Sequence, residues 1–441
     1  MSGSLPDWID LQYRRSAVAM LRGISAVDIV KSRPGFGQTV RAARGSIVAS
    51  VVLADWDPEP DYFFHWFRDS AIVIEALRVL HEAGDLGPEA QHHFADFVRF
   101  SLGLNRLDGR ELLHDSDSRR ERAQASFHRF LRDDDDLAGV RGEWVGADTR
   151  VNPDGSLDLS KWARPQFDGP PLRALSLLRW MGSIGPSDPQ LAADAAILLR
   201  ADLDFTRRHW SEPSFDIWEE ERGHHYYTQR VSAAALELGA AWCRAQNDHE
   251  RAADCATQAQ AALAGLDAYW LGEAGHYRSR VLPEDLRSAK DLDIAVIFSA
   301  IHSGASSGPH SVLDPRMQRT LTRLEALFAG LYAINRGRAA GPAMGRYEGD
   351  VYHSGGAYYF STLAAAEFCF RVAAARNDDA KRWYDQGNAF LATVREFTPE
   401  DGALSEQFDQ DTGVQSSARH LTWSYAAFVT CIDARRRAGP R

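Results

Sequence analysis

Twelve stretches with apolar residues at the helical spacing i, i+3 and i+4 run through the chain and constrain its fold more than any other feature. Strand-like alternation between them is sparse, so the sequence predicts an all-α protein. The predicted helices cover about residues 8–22, 69–83, 88–102, 170–183, 189–208, 227–246, 248–266, 291–303, 312–334, 356–376, 379–397 and 417–436.

The connections between these stretches differ in length. Several that follow even-numbered stretches are tight turns, such as AGDLGPE and AQNDHE, whereas those after odd-numbered stretches are long and hold most of the unusual residues. This alternation predicts an (α/α)6 barrel, a toroid of six helix pairs with turns at one end and long loops at the other. We predict a single catalytic domain over residues 1–441, with a long loop excursion at about 103–167.

Charge, hydropathy and cysteine usage limit the partners and the compartment that we expect for this protein. The formal net charge of −11 argues against nucleic acid and is compatible with a neutral ligand such as a sugar. No apolar run is long enough for a membrane span, and the N-terminus shows no secretory signal. We expect a cytoplasmic protein without a cofactor, of unassigned oligomeric state. Buried free thiols are predicted for the four cysteines, which are Cys243, Cys255, Cys369 and Cys431.

The loops before the even-numbered helices carry the residues expected of a site. In a barrel these six loops open at the same end, so their charged and aromatic side chains would meet in one axial pocket. Loop by loop, these residues are Trp66, Arg68 and Asp69; Trp162, Arg164, Gln166 and Asp168; Asp216, Trp218, Glu219 and Glu220; Arg287, Lys290 and Asp291; Arg346, Asp350 and Tyr352; and Glu406, Gln407 and Trp423.

Carboxylates beside aromatic rings suit glycoside hydrolysis. One protonated carboxyl group gives a proton to the leaving oxygen, and a second activates water or attacks the sugar. Glu219 lies between Trp218 and Glu220 and fits the general acid. Arg68 and Asp69 fit a pair that holds sugar hydroxyls. A closed pocket lined by aromatic rings would admit only a chain end, which predicts exo action.

Two segments of the sequence allow a metal-dependent interpretation. The aspartate run at 133–136 resembles a diphosphate–magnesium motif of prenyl transfer, although a solvated surface segment is the preferred interpretation. His224 and His225 could bind a metal ion, but exposed loop residues are the preferred interpretation there too. We predict no metal site.

Seven segments, in order, resemble those of glucoamylases, glycoside hydrolase family 15. They are FRDSA, RPQFDGPPLRA, DIWEE, RSAKD, GRYEGDVY, LSEQFD and LTWSYAA, and the resemblance extends from about residue 60 to 430. The resemblance implies an (α/α)6 barrel and an inverting enzyme that releases β-D-glucose from non-reducing ends.

The resemblance also implies roles for individual residues. Glu219 corresponds to the general acid, and Glu406 corresponds to the general base that activates water. Arg68, Asp69 and Arg346 correspond to residues that bind the terminal glucose. The remaining residues predicted to bind substrate are Trp66, Trp162, Arg164, Asp168, Trp218, Glu220, Asp350, Tyr352 and Trp423.

Some positions depart from the family's pattern. Glu221, His224 and His225 replace an Asn-Gly-Ser run of many fungal members, which changes the leaving-group side of the pocket. We expect neither a starch-binding domain nor an N-terminal β-sandwich, so short α-1,4-linked gluco-oligosaccharides are the predicted substrates. An α-1,6-glucosidase of the same fold is the first alternative, and a toroid that binds saccharides without catalysis is the second.

Overall fold

The computed structural model describes residues 4–55, 58–183, 188–282, 288–375 and 378–439, and fourteen α-helices lie within them. They are α1 (Leu5–Arg22), α2 (Phe67–Glu82), α3 (Glu89–Leu104), α4 (Ser116–Arg122), α5 (Asp134–Gly139), α6 (Gly169–Ser183), α7 (Pro189–His209), α8 (Tyr226–Ala245), α9 (His249–Gly265), α10 (Ala295–Ser303), α11 (Pro315–Leu331), α12 (Tyr359–Ala374), α13 (Ala380–Glu396) and α14 (Thr422–Ala438). All twelve predicted helices are present.

Six of these helices form a closed inner ring. Helix α2 packs against α6, and the contacts continue through α8, α10, α12 and α14 until α14 packs against α2. An outer helix covers each inner one, as α9 covers α8 and α13 covers α12. The architecture is therefore the predicted (α/α)6 barrel.

Burial distinguishes the inner helices from the outer ones. In α12, 14 of the 16 residues are buried, and alanine and phenylalanine are its commonest residues. In α13, only 6 of the 17 residues are buried, along one stripe that faces α12. A helix that is apolar all round belongs inside a fold, whereas an amphipathic helix belongs at its surface.

In the part of the chain that the structure describes, twelve short strands accompany the helices, and all of their pairings are antiparallel. They are β1 (Val30–Arg33), β2 (Gln38–Arg41), β3 (His65–Trp66), β4 (Arg150–Val151), β5 (Ser214–Phe215), β6 (Arg222–His225), β7 (Trp270–Leu271), β8 (His276–Tyr277), β9 (Arg280–Val281), β10 (Ala357–Tyr358), β11 (Gln407–Phe408) and β12 (Gln415–Ser416).

Three of the small sheets tie together the long loops at one end of the barrel. Strand β3 pairs with β4, the order β5–β6–β9 forms a second sheet, and β10–β11–β12 forms a third. Each sheet joins loops that are distant in sequence, so the side chains that these loops carry are held on a stable frame.

The predicted excursion contains α4, α5 and β4 and packs around its own apolar cluster, which includes Leu131, Leu137 and Val145. The aspartate run at 133–136 makes ion pairs with Arg119, Arg132 and Lys161. Within the described ranges, no cluster of His, Cys, Asp or Glu could hold a metal ion. The preferred interpretation of this run, a solvated surface segment, agrees with these contacts.

The four cysteines are buried free thiols in α8, α9, α12 and α14, as predicted. No helix in the described part of the chain is both long enough and apolar enough to span a membrane.

Candidate active site

A cavity of about 220 Å³ opens where the inner helices begin, at the end of the barrel that carries the long loops. Arg68 and Asp69 belong to the first turn of α2, and Trp423 belongs to the first turn of α14. The cavity lining consists of Ala49, Tyr62, Trp66, Arg68, Asp69, Trp162, Ile217, Trp218, Glu219, Glu220, Arg346, Tyr352, Phe360, Glu406, Leu421 and Trp423.

Glu219 sits at the tip of a tight turn between β5 and β6. Its φ of 65° lies in the left-handed region, which a non-glycine residue adopts at an energetic cost. Asp216 stabilises the turn, because its side chain accepts hydrogen bonds from the backbone N–H groups of Trp218 at 3.1 Å and Glu220 at 2.9 Å. The strained turn directs the Glu219 side chain into the cavity.

Three donors hold the carboxylate of Glu219. The indole N–H of Trp66 donates to Oε1 at 2.9 Å, and Nη2 of Arg68 donates to the same oxygen at 3.0 Å. The indole N–H of Trp162 donates to Oε2. These contacts fix the orientation of the Glu219 carboxylate.

A buried arginine supports both tryptophans from behind. The guanidinium carbon of Arg150 lies 3.6 Å from the ring centroid of Trp162 and 4.7 Å from that of Trp66. Arg150 is also paired with Asp158 at 2.9 Å. This cation–π packing fixes the two rings whose N–H groups hold Glu219.

Glu406 is the buried carboxyl group on the opposite loop. Ser417 donates a hydrogen bond to its Oε2, and the hydroxyl of Tyr62 lies 3.4 Å from its Oε1. Burial raises the pKa of Glu406 to about 7, and the bond from Ser417 only partly opposes this shift. Glu406 can therefore exchange a proton near neutral pH.

Tyr62 connects the surroundings of the two carboxyl groups. Its hydroxyl is 2.7 Å from that of Tyr352, and its ring centroid is 5.2 Å from that of Trp66. The contacts thus run from Glu406 through Tyr62 and Trp66 to Glu219. One side of the cavity is a continuous aromatic wall between two carboxyl groups.

The floor combines a stacked aromatic pair with a buried charge cluster. Trp423 and Phe360 stack with centroids 4.5 Å apart and an interplanar angle of 7°. Beside them, Arg68 lies 3.2 Å from Asp69 and 3.7 Å from Asp168. Burial raises the pKa of Asp168 to about 7 against the effect of the Arg68 charge. The stack closes the cavity toward the barrel interior.

Glu220 forms the wall opposite Tyr62. Nη2 of Arg346 donates to its Oε1 at 3.0 Å, and Lys290 and Tyr347 both donate to its Oε2. Although burial opposes the shift, the charge of Arg346 and the bonds from Lys290 and Tyr347 lower the pKa of Glu220. Glu220 is therefore an ionised acceptor, and it differs in this respect from Glu406.

The sequence model of glycosyl hydrolases family 15 matches residues 151–433, which is more than half of the chain and includes both Glu219 and Glu406. The chain belongs to glycosyl hydrolases family 15. It is therefore a glycoside hydrolase, as the sequence motifs predicted.

Fungal glucoamylases are among the proteins to which this family 15 chain is similar in sequence. Glucoamylase-1 of Schizophyllum commune is 28% identical over 92% of this chain and 71% of the relative. The probable glucoamylase of Schizosaccharomyces pombe is 26% identical over 98% of this chain and 92% of the relative. These matches extend the similarity to almost the whole chain.

Solved structures share the fold. The glucoamylase of Saccharomycopsis fibuligera superposes with a TM-score of 0.77 at 21% identity, over 99% of this chain and 96% of that one. The family 15 glucoamylase of Hypocrea jecorina gives a TM-score of 0.78 at 21% identity, over 99% and 73%. This family 15 enzyme therefore shares the barrel fold of those structures.

Most residues that the sequence singled out do meet at the cavity. The ones that line it are Trp66, Arg68, Asp69, Trp162, Trp218, Glu219, Glu220, Arg346, Tyr352, Glu406 and Trp423. These residues come from five of the six loops, because the described residues of the fourth loop do not line the cavity. Their individual roles in catalysis and binding stay predictions.

Three predicted substrate-binding residues do not line the cavity. Arg164 is engaged by Asp148 and Asp158, each at 2.9 Å, and its contact with substrate stays a prediction. Asp168 lies under Arg68, and Asp350 holds Arg346 at 2.6 Å. Both support arginines of the cavity wall.

His224, His225 and Lys290 also do not line the cavity. His224 is exposed on β6, as expected, whereas His225 is buried and one of its ring nitrogens contacts the carbonyl of Ser214 at 3.0 Å. Lys290 bonds to Glu220, in agreement with a role in holding the rim. Arg287 lies outside the described residues.

Sequence reasoning did not single out several supporting residues. Tyr62 lies four residues before Trp66, so its proximity to Trp66 in sequence is a usable signal. No such sequence signal marks Arg150, Arg280 or Ser417, because each is distant in sequence from the side chain that it supports. Arg280 pairs at 2.6 Å with Asp216 and with Asp293, which accepts the indole N–H of Trp218.

Proposed function

We propose that this family 15 enzyme is an inverting exo-hydrolase that releases β-D-glucose from the non-reducing ends of α-1,4-linked gluco-oligosaccharides. The observation that carries the proposal is the pair Glu219 and Glu406, which project from different loops into one cavity closed by the Trp423–Phe360 stack. The fungal relatives, named as glucoamylases, support the same activity.

In this proposal Glu219 donates its proton to the glycosidic oxygen. The bond between the anomeric carbon and that oxygen breaks, and the leaving sugar takes the proton. The negative charge left on Glu219 is held by Arg68 and by the indole N–H groups of Trp66 and Trp162. These donors are in place before the reaction, so little reorganisation is needed.

Glu406 acts as the general base. It takes a proton from a water molecule while the water oxygen bonds to the anomeric carbon from the face opposite the leaving group, which inverts the configuration. Ser417 orients the carboxyl group. Because Glu406 is buried, its carboxylate is a stronger base than an exposed glutamate.

The remaining lining residues bind the sugar at the chain end. Arg68 and Asp69 are buried at the base of the cavity and would hold hydroxyls of the terminal glucose through charge-assisted hydrogen bonds. Trp423 and Phe360 would provide the apolar floor. A cavity of about 220 Å³ with a closed floor suits one terminal sugar unit, which supports exo action.

A product profile tests this proposal. Maltoheptaose with a reduced end should yield glucose and maltohexaitol first, whereas early maltose or maltotriose would contradict the release of single glucose units from the non-reducing end. Initial rates on maltotriose should exceed those on isomaltotriose. A faster reaction with isomaltotriose would favour the α-1,6-glucosidase instead.

A further inference from the structure

Lys290 connects the fourth rim loop to the cavity wall without lining the cavity. Its Nζ lies 2.5 Å from Oε2 of Glu220 and 4.6 Å from the ring centroid of Tyr347. Its side chain is only 21% exposed, so this ammonium group is held against the wall from behind. Lys290 therefore reaches the reaction only through Glu220.

The neighbouring acid does not compete strongly for this lysine. Nζ of Lys290 is 3.9 Å from Glu221, whose carboxylate already accepts Arg280 at 2.8 Å and Ser288 at 3.0 Å. The short contact is thus the one to Glu220. Glu221 is one of the positions where this chain departs from many fungal members.

The contact fixes one rotamer of Glu220. Arg346 holds Oε1, while Lys290 and Tyr347 hold Oε2. Without Lys290, the donor that remains to Oε2 among the described residues is the neutral hydroxyl of Tyr347. Because the Glu220 side chain is 27% exposed, it can then turn toward solvent. Glu220 is 27% exposed, whereas Arg68 and Asp69 at the base of the cavity are 6% and 9% exposed, so Glu220 lies nearer the mouth, on the side of the sugar that leaves.

We propose that Lys290 is a positioning residue for leaving-group recognition: it holds Glu220 ready to bind the sugar on the far side of the scissile bond. This inference rests on the proposed function. It predicts that Lys290 matters only when the leaving group is a sugar, because fluoride as a leaving group has no hydroxyls for Glu220 to bind.

The test compares Lys290→Met, Lys290→Arg and wild type on maltose and on α-D-glucosyl fluoride. For Lys290→Met, we expect kcat/KM for maltose to fall by about tenfold to a hundredfold, which is the range for loss of a charge-assisted hydrogen bond. The same constant for glucosyl fluoride should change by less than about twofold. Lys290→Arg should recover most of the maltose activity.

Lys381→Met is the matched control, because Lys381 is 88% exposed and pairs only with Asp385 on the surface of α13 in the described structure. It should leave both substrates unaffected. An equal loss on both substrates in Lys290→Met would overturn the inference, as would an unchanged maltose constant. If wild type hydrolyses neither substrate, the proposed function itself fails, which is a different result from either.

Discussion

At the residue scale, Glu219 and Glu406 differ in what surrounds their carboxyl groups. Glu219 is held by a cation and two indole donors, whereas Glu406 is held by two hydroxyl groups in a buried setting. The first arrangement stabilises a carboxylate that has donated its proton, and the second produces a carboxylate that readily accepts one. The proposed acid and base roles rest on the family motifs that carry Glu219 and Glu406, and the two settings favour the state that is reached after the protons have moved.

Removing either carboxylate should abolish turnover and preserve the fold. Glu219→Gln and Glu406→Gln should each lower kcat on maltotriose by roughly a hundredfold to ten-thousandfold, because each removes one proton-transfer group. Steady-state kinetics with circular dichroism would measure both effects. Glu250→Gln, on the exposed side of α9, is the control. A near-wild-type rate in either variant would remove that residue from the mechanism.

The pH dependence of kcat/KM should be bell-shaped with its alkaline limb near neutral pH. The active form carries one proton on the pair, since one carboxyl group donates and the other accepts. The pKa of Glu406 is raised to about 7, so the pair keeps a proton until the pH rises through about 7. We expect activity to fall above that pH. A flat profile from pH 4 to 9 would contradict a two-carboxyl mechanism.

Glu406 should also destabilise the folded protein as the pH rises. The folded state keeps the Glu406 proton up to about pH 7, while the unfolded chain releases it near its ordinary pKa of 4.5. Stability present below pH 4.5 is therefore lost between 4.5 and 7 in the wild type, by about 3 kcal/mol at 1.36 kcal/mol per pKa unit.

Glu406→Gln has no such proton to lose. Its free energy of unfolding, relative to wild type, should rise between pH 4.5 and 7 and then level off, as measured by urea unfolding at a series of pH values. Glu250→Gln should show no such trend. A difference between Glu406→Gln and wild type that does not change with pH would show that the carboxyl group is not perturbed by burial.

At the element scale, the turn that carries Glu219 depends on a buried ion cluster. Arg280 on β9 pairs with Asp216, which shapes the turn, and with Asp293, which accepts the indole N–H of Trp218. Arg280 is almost fully buried. The sheet β5–β6–β9 thus links the catalytic turn to the loop before α10.

Replacing Arg280 by methionine should cost about 3–5 kcal/mol of unfolding free energy, because two buried carboxylates lose their partner. Turnover per folded molecule should fall too, since Asp216 no longer fixes the turn. Arg99→Met, which removes an exposed i,i+3 pair with Asp96, should cost less than about 1 kcal/mol. Similar losses in the two variants, measured by denaturant unfolding, would contradict the structural role of the cluster.

The helices could be predicted at this scale, and the strands that frame the site could not. Helical periodicity over 15 or more residues is a local signal, as in α8 and α12, and the observed bounds differ from the predicted ones by a few residues. Strands such as β3 and β11 are two residues long. They are set by pairing between distant loops, which leaves no local pattern to detect.

At the scale of the whole molecule, the closed inner ring explains why the site residues could be found from sequence. Once six helix pairs are counted, the loops before the inner helices must share one rim, so Trp162 and Arg346 line the same cavity although they are distant in sequence. The number of helix pairs does not indicate which loop residues face the cavity. Arg164 and Trp162 occupy one loop, and buried partners such as Asp148 decide their different directions.

On the other side of the Trp423–Phe360 stack, ion pairs line a second cavity of about 260 Å³. Arg78 is paired with Glu75 at 2.7 Å and with Glu82 at 2.5 Å, and Glu75 also lies 3.4 Å from Arg179. Glu75, Arg78 and Arg179 belong to the lining of this second cavity. The two proposed catalytic carboxyl groups lie in the other cavity, at the end of the barrel that carries the long loops.

Chelation should leave activity unchanged. The proposed chemistry uses two carboxyl groups and water, and the described residues hold no group of three or more potential metal ligands. Dialysis against EDTA followed by maltotriose assays would test this. A loss of activity that added divalent cations restore would reopen the metal-dependent interpretations of the sequence.

The central claim is that Glu219 and Glu406 act on opposite faces of the sugar with a water molecule between the base and the anomeric carbon. A proton NMR time course of maltotriose hydrolysis follows the anomeric signals of newly released glucose before mutarotation. We predict that β-glucose appears first and that Glu406→Gln abolishes its release. Initial release of α-glucose would mean retention of configuration and would contradict the water-activating role of Glu406.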